Sequence, residues 1–323
     1  MKSRSARASG AVGNFAVGHG FVSLPSVWKL CLALVVWVLP QSVWAARVGI
    51  IRSKDVSQYN QALDGFKAKL GSKVEVKELN LDQSGEADVV GQMNSFNPDA
   101  IFAIGPAAAK LARTQLSRIP LVYAVVPNPE GLGLRGAGVT GVSMSVHPRK
   151  NFALLKALPK KITRVGVIYN PQKSQDYVNE GQKAAEAFGI QLITKTADGE
   201  QDVPNALRDM IDKIDAFWLI PDSTVVSRNS FKFILQTTLE KPVPLLVFSS
   251  ELVKAGALLC LSPDFGDAGD KAAMAIEKII SGTKAEAIPV AFPEGRLDIN
   301  EQIADKMQLK FSPDLTAKRG KIF

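Results

Sequence analysis

The feature that most constrains this chain is an internal echo. The first copy reads Arg47-Val48-Gly49-Ile50-Ile51, then Asp99-Ala100-Ile101-Phe102-Ala103-Ile104, then Pro120-Leu121-Val122-Tyr123. The second reads Arg164-Val165-Gly166-Val167-Ile168, then Asp215-Ala216-Phe217-Trp218-Leu219-Ile220, then Pro244-Leu245-Leu246-Val247-Phe248. Arg47 and Arg164 stand 117 positions apart and Asp99 and Asp215 stand 116 apart, so the spacing survives across a whole folding unit. Two like-built lobes follow from this, with a cleft between them.

Within each copy, apolar runs of about five residues alternate with longer segments of helical period, such as Tyr59, Ala62, Leu63, Phe66 and Leu70. The strand runs are apolar on both faces, which is what a parallel sheet covered by helices on each side requires. The expected class is α/β, with two doubly wound parallel-sheet lobes. Val139 to Ser143 reads as an extended segment crossing between lobes, and Pro148 to Leu158 as the helix that opens the second. Strand Ala257 to Ser262 and the helix bearing Ala272, Ala273, Ile276 and Ile279 are expected to return to the first lobe. Strand Arg296 to Asn300 and helix Glu301 to Met307 return to the second. The lobes are then 46–126 plus 253–288 and 127–252 plus 289–323, joined by several strands that form a hinge.

Composition matters chiefly for the N-terminus. Of the formal net charge of +8, four positive charges (Lys2, Arg4, Arg7 and Lys29) precede residue 46 in a stretch without acids. The remaining basic residues are mixed with acids, which reads as a solvated surface and not a nucleic-acid face. Lys29 is followed by an apolar run, Leu30 to Leu39, then Pro40 and the small-residue ending Val43-Trp44-Ala45. Residues 1–45 therefore read as a secretory signal, cut after Ala45 or Ala46, whose apolar run is well short of the roughly 20 residues of a membrane span. The long segment before Lys29 is either an extended basic region or a start codon placed early. Cys31 leaves with the leader and no lipid-anchor pattern surrounds it, so Cys260 is expected to be a buried strand residue without a disulfide partner. The expected location is the periplasm, and the expected form a monomer.

Ligands of open parallel sheets bind beyond the carboxyl ends of strands, where helix N-termini point free N–H groups at them. After Ile104 come Gly105, Pro106, Ala107 and Ala108, with proline at a first helical position; the amides of Ala107 and Ala108 would meet an anionic group, or the segment is an ordinary strand-to-helix turn. The matching turn of the second copy is Pro221-Asp222-Ser223-Thr224. There Asp222 reads as a helix N-cap or as the partner of a ligand amine. Other strand ends add Asn128, Tyr169, Asn170 and Ser174, Phe248 and Ser249, and Asp264 and Phe265, a mixture of aromatic and polar edges that describes a small-molecule pocket.

Enzyme signatures fail when tested. Gly131, Gly133 and Gly136 match a dinucleotide fingerprint by letter, yet prolines precede them and no helix follows. Gly141-Val142-Ser143-Met144-Ser145 lacks the second glycine of a nucleophile elbow. Beyond the leader the one histidine is His147, so a serine triad has a single place to form, and no His/Cys cluster exists for zinc. No catalytic residue, cofactor or metal is expected.

The same residues resemble a known family, the substrate-binding proteins of bacterial ABC transporters, in the branch that includes tryptophan-binding and other amino-acid-binding members. The resemblance covers nearly all of the chain beyond the leader. It is carried by Ala103-Ile104-Gly105-Pro106-Ala107-Ala108, Ile119 to Val126, Asn128-Pro129, Gly138 to Ser143, Val165 to Pro171, and Ile220-Pro221-Asp222-Ser223-Thr224. It implies a type I periplasmic-binding fold, two Rossmann-like lobes closing on a small ligand, and delivery to a membrane permease. Family members often carry threonine where this chain has Pro106, aspartate where it has Asn128, and tyrosine around Asp264-Phe265. One hydroxyl and one charge are thus missing from the family's pattern. The implied function is capture of a small organic ligand, with amino-acid-like compounds among the candidates. Presentation of the closed form to a membrane sensor is the alternative, and an enzyme on the same lobes the more distant one.

Overall fold

The computed structural model describes residues 46–70, 74–313 and 319–322; the expected leader lies outside the described residues. The first lobe begins with β1 (Ala46–Arg52), α1 (Ser57–Leu70), β2 (Val74–Asn80), α2 (Leu81–Ser84) and α3 (Glu86–Phe96). It continues with β3 (Ala100–Ile104), α4 (Pro106–Gln115), β4 (Leu121–Ala124) and β5 (Val139–Gly141). These strands form a sheet in the order β2-β1-β3-β4-β5, every pairing parallel. Alternate residues of β1 serve opposite faces, as the pleat dictates. Val48 and Ile50 pack with Phe66 of α1 and Phe102, while Ile51 packs with Met93 of α3 and Leu111 of α4.

The second lobe opens with α5 (Pro148–Lys156), β6 (Arg164–Tyr169), α6 (Pro171–Ala187), β7 (Gln191–Thr196) and α7 (Val203–Met210). Then come β8 (Ala216–Trp218), α8 (Arg228–Glu240), β9 (Leu245–Val247), α9 (Ser250–Lys254) and β10 (Leu259–Pro263). After α10 (Phe265–Ile280) the chain adds β11 (Gly295–Ile299), α11 (Glu301–Lys306) and β12 (Arg319–Ile322). The second sheet runs β7-β6-β8-β9-β10-β11-β12, parallel except where β11 lies antiparallel to β10. Helices start where the local chemistry tells them to. Asn170 Oδ1 accepts from the Gln172 amide ahead of Pro171, and Asp264 and Asn300 cap α10 and α11 in the same way.

Two expectations change. Val139–Gly141 is not merely a crossing segment but the fifth strand of the first sheet, and Leu259–Pro263 does not return to the first lobe but pairs with β9. Each is the strand next to its sheet's β4 or β9, so the internal repeat extends one element further than the sequence echo. The reason is pairing. Once β9 is laid down, its free edge is satisfied by the next extended segment in the chain, and Leu259 and Cys260 are fully buried there. It is α10 that goes back to the first lobe, where it packs along α1, and residues 285–288 follow it: Gly138 N–H donates to Glu286 Oε2 (2.9 Å) and Thr140 Oγ1 to the Ile288 carbonyl (2.8 Å).

That helix contact is made backbone to backbone. A methyl group at Gly269 would stand 1.9 Å from the Ala62 carbonyl oxygen, and one at Gly65 2.0 Å from the Gly266 oxygen. Glycines let the two axes approach closely enough for Ala272, Ala273 and Ile276 to reach the sheet face beneath. The chain crosses between lobes three times: after β5, between β10 and α10, and from Ala291 to Gly295. The crossings are tied together by Ser143 N–H to Ala291 O (2.8 Å), Ala291 N–H to Gly141 O (3.0 Å) and Asp264 N–H to Glu294 O (2.9 Å). This is the hinge.

Candidate functional site

The carboxyl ends of both sheets face a cleft of about 1540 Å³ between the lobes. Its first-lobe wall is built from the segment after β1 (Lys54 to Tyr59), Pro106, Tyr123 and the β4–β5 loop. Its second-lobe wall comes from α6, Trp218, Ser223 and Phe248 to Glu251, and the hinge supplies Met144, Pro289, Val290 and Phe292. Met144 and Val290 are exposed apolar residues in a chain that buries most others. An apolar floor next to the hinge is what a flat or apolar ligand part would cover.

The first-lobe turn is already occupied by its own side chains. Gly105 has φ 89°, and a methyl group there would stand 2.6 Å from the Tyr59 ring and 2.7 Å from Ser53 Oγ. Ser53 Oγ accepts the Ala108 amide at 2.9 Å, so the anion role expected for that amide is taken by a serine hydroxyl. Ala107, as the second helical residue, has no intrahelical acceptor. Pro106 lines the cleft, whereas Gly105, Ala107 and Ala108 do not. Past β4, Val125 sits at φ 56°, a costly conformation for a β-branched residue (about 1–3 kcal/mol) that turns the chain into the cleft wall. Asn128 follows at φ 47°, lines the cleft, and accepts the Gly131 amide at 3.2 Å.

The second-lobe turn is organised around Asp222, and not as the sequence reading had it. Its side chain is only 1% exposed and accepts from the Asn170 amide (2.8 Å), Ser174 Oγ (2.7 Å) and the Thr224 amide (2.8 Å). It does not line the cleft. The carboxylate instead joins the end of β6 to the loop after β8. Above it, Lys173 Nζ donates to Ser223 Oγ (3.0 Å) and Thr224 Oγ1 (2.8 Å). Tyr169 and Asn170 are buried beneath the wall, Tyr169 Oη bonded to Gln175 at 3.1 Å. Thr224 is also buried and Asp264 is engaged as a cap, so neither lines the cleft. Ser174, Ser223, Phe248, Ser249 and Phe265 do line it.

Several wall residues escaped the sequence reading. Trp218 packs edge-on against Phe152 (5.1 Å between centroids) and beside Tyr177 (5.5 Å), and Gly181 leaves room for its ring. Tyr177 Oη donates to the Val146 carbonyl in the first crossing (2.9 Å), and burial pushes its ionisation well up, so it stays a neutral phenol. Arg135, carried by the β4–β5 loop, meets Asp176 of α6 at 3.0 Å and also pairs with Glu130. That pair spans the two lobes at the cleft mouth. Arg113 holds the loop from below through the carbonyls of Gly133, Arg135 and Ala137. Among the described residues, no group of His, Cys, Asp or Glu is placed to hold a metal ion, and no helix is long and apolar enough to cross a membrane.

Comparison with known proteins agrees with this geometry. Residues 52–322 match the family model described as ABC transporter substrate binding protein. A tyrosine-binding protein from Clostridioides difficile (strain R20291) is 25% identical over 260 residues, covering 77% of this chain and 75% of the relative. Among solved structures, a ligand-free, open substrate binding protein with adhesive properties from Clostridium difficile superposes with a TM-score of 0.65 at 23% identity, over 85% of this chain and 98% of that one. An ABC domain in complex with L-Trp from Streptococcus pneumonia gives a TM-score of 0.54 at 22% identity, over 86% and 99%. These two structures share the two-lobed architecture.

Proposed function

The chain belongs to the ABC transporter substrate binding protein family, and from that premise we propose that it is an exported, non-enzymatic solute-binding protein. It captures a small organic ligand between its lobes and delivers it to a membrane permease. The observation that carries the proposal is the cleft itself: an interlobe space of about 1540 Å³, larger than the roughly 300–1,000 Å³ of an ordinary ligand pocket and so able to narrow around its contents. The two lobes meet through three short crossings, so closure is a rotation about a few residues, and the ligand's contacts with both walls bias that rotation. Tyr123, Trp218, Phe248 and Phe265 offer flat apolar surface, while Pro106, Asn128, Ser174, Ser223 and Ser249 stand at the polar edges. The tyrosine-binding relative and the ABC domain in complex with L-Trp support an amino-acid-like or aromatic ligand.

Native mass spectrometry of the protein purified from the periplasm tests this. A retained small molecule at one per chain, released unchanged on unfolding, is the expected result. Conversion of that molecule to a product by the purified protein would refute the binding-protein reading.

A further inference from the structure

The expected polarity of the second wall was a carboxylate facing a ligand amine, and the structure inverts it. Asp222 is buried and engaged by three donors. The charge that lines the cleft at this turn is Lys173, third residue of α6, exposed at the wall. Both of its hydrogen-bond acceptors, Ser223 Oγ and Thr224 Oγ1, are neutral, and among the described residues no carboxylate lies within ion-pairing distance of it. The nearby acid on its own helix, Asp176, is turned to Arg135. An ammonium has three donors. Two are spent on the hydroxyls, which hold a long side chain in one place at the expense of its rotamer freedom, and one is left. The first turn of α6 adds partial positive charge of the same sign.

We infer that Lys173 receives an acidic group of the ligand, so that the ligand is an organic acid whose carboxylate docks on the second lobe. The inference rests on the binding-protein reading above and gives it a substrate class. At the first-lobe turn the Ala108 amide is already taken by Ser53 and Asn128 is uncharged, while Lys54 and Arg135, which also line that wall, carry charge of the same sign as Lys173. The apolar remainder of the ligand then lies toward Trp218 and the hinge residues Met144 and Val290.

The test is a calorimetric titration of the purified protein with small carboxylates, each paired with its primary amide: L-tyrosine with L-tyrosinamide, L-tryptophan with L-tryptophanamide, and 3-(4-hydroxyphenyl)propionate with its amide. Any molecule retained in native mass spectrometry is added to the set. Acids are expected to bind and their amides to bind at least about tenfold more weakly. Lys173→Gln should weaken the acids by about tenfold or more and change the amides much less, so that the gap between each acid and its amide narrows, while far-UV circular dichroism confirms that the variant is folded. Lys173→Arg should restore most of the affinity. Acid binding within twofold of wild type in Lys173→Gln, or equal binding of acid and amide, overturns this inference and leaves the binding-protein reading standing. A protein that retains nothing and binds no member of the set overturns both.

Discussion

Replacing Asp222 with alanine separates two accounts of this residue. In the structure its carboxylate is the acceptor for two buried backbone donors, the amides of Asn170 and Thr224, and for the Ser174 hydroxyl. Asp222→Ala leaves the two amides without partners in a place that is 1% exposed. A buried donor left unsatisfied costs about 1–3 kcal/mol, while the Ser174 hydroxyl can rotate toward solvent at little cost. The expected loss is therefore about 2–6 kcal/mol, or a midpoint lowered by about 4–24 °C at the roughly 2–4 °C per kcal/mol usual for a domain of this size. Asp222→Asn keeps one acceptor but turns an N–H toward a donor, and should fall between wild type and alanine. Urea titration followed by tryptophan fluorescence and far-UV circular dichroism measures the loss directly. If Asp222→Ala unfolds within about 0.5 kcal/mol of wild type, the carboxylate is not holding the turn. Loss of ligand binding in such a stable variant would return Asp222 to the role of ligand contact.

Two further outcomes concern packing and pH. Gly269→Ala forces a methyl group against the Ala62 carbonyl at 1.9 Å and must push α10 off α1, costing at least about 2 kcal/mol. Gly91→Ala, in open space within α3, should instead raise stability by about 0.5–1 kcal/mol, and thermal melts of both variants check the contrast. At Asp215, burial opposes ionisation, but the Arg164 guanidinium and the Thr163 donors outweigh it and hold the carboxyl well below its ordinary 3.8. A depressed folded value gives stability that is complete above about pH 5 and is lost as pH falls through the unfolded value and below. Asp215→Asn should therefore lose about 1–3 kcal/mol at neutral pH and show a shallower loss between about pH 5 and 2 in acid titrations of the unfolding midpoint.

Much of the architecture could be read from residues 46–250 because βα units announce themselves locally. Apolar runs of strand length, and helix starts such as Asn170-Pro171 and Gly105-Pro106, depend on neighbours a few positions away. The ownership of Leu259–Pro263 does not. An all-apolar strand fits any parallel sheet, and the choice between two sheets is made by which edge is open when it arrives. The site was legible to the same depth. Strand-end reasoning found Pro106, Asn128, Ser174, Ser223, Phe248, Ser249 and Phe265 on the cleft wall. It could not tell that Asp222 faces inward, since one Asp serves equally as a cap, a clasp or a contact until its donors are placed. Lys173 was passed over because a lysine on a polar helix reads as solvated. Trp218 and Tyr123 were passed over because aromatics inside strands read as core, which they also are.

The return of α10 to the first lobe has a consequence for how the chain matures. The first sheet is complete at residue 141, yet one of its faces is covered by a helix spelled out at residues 265–280. During synthesis that face, which includes Val122 and Ala124, is covered by α1 alone and lacks the Ala272, Ala273 and Ile276 side of α10 while the whole second sheet core is being added. Contacts of such sequence separation are slow to form, and exposed strand faces are sticky while they wait. A chain stopped anywhere before residue 280 is short of a finished lobe at its beginning as well as at its end. Folding is thus a late event, and the two lobes ripen together, not in succession.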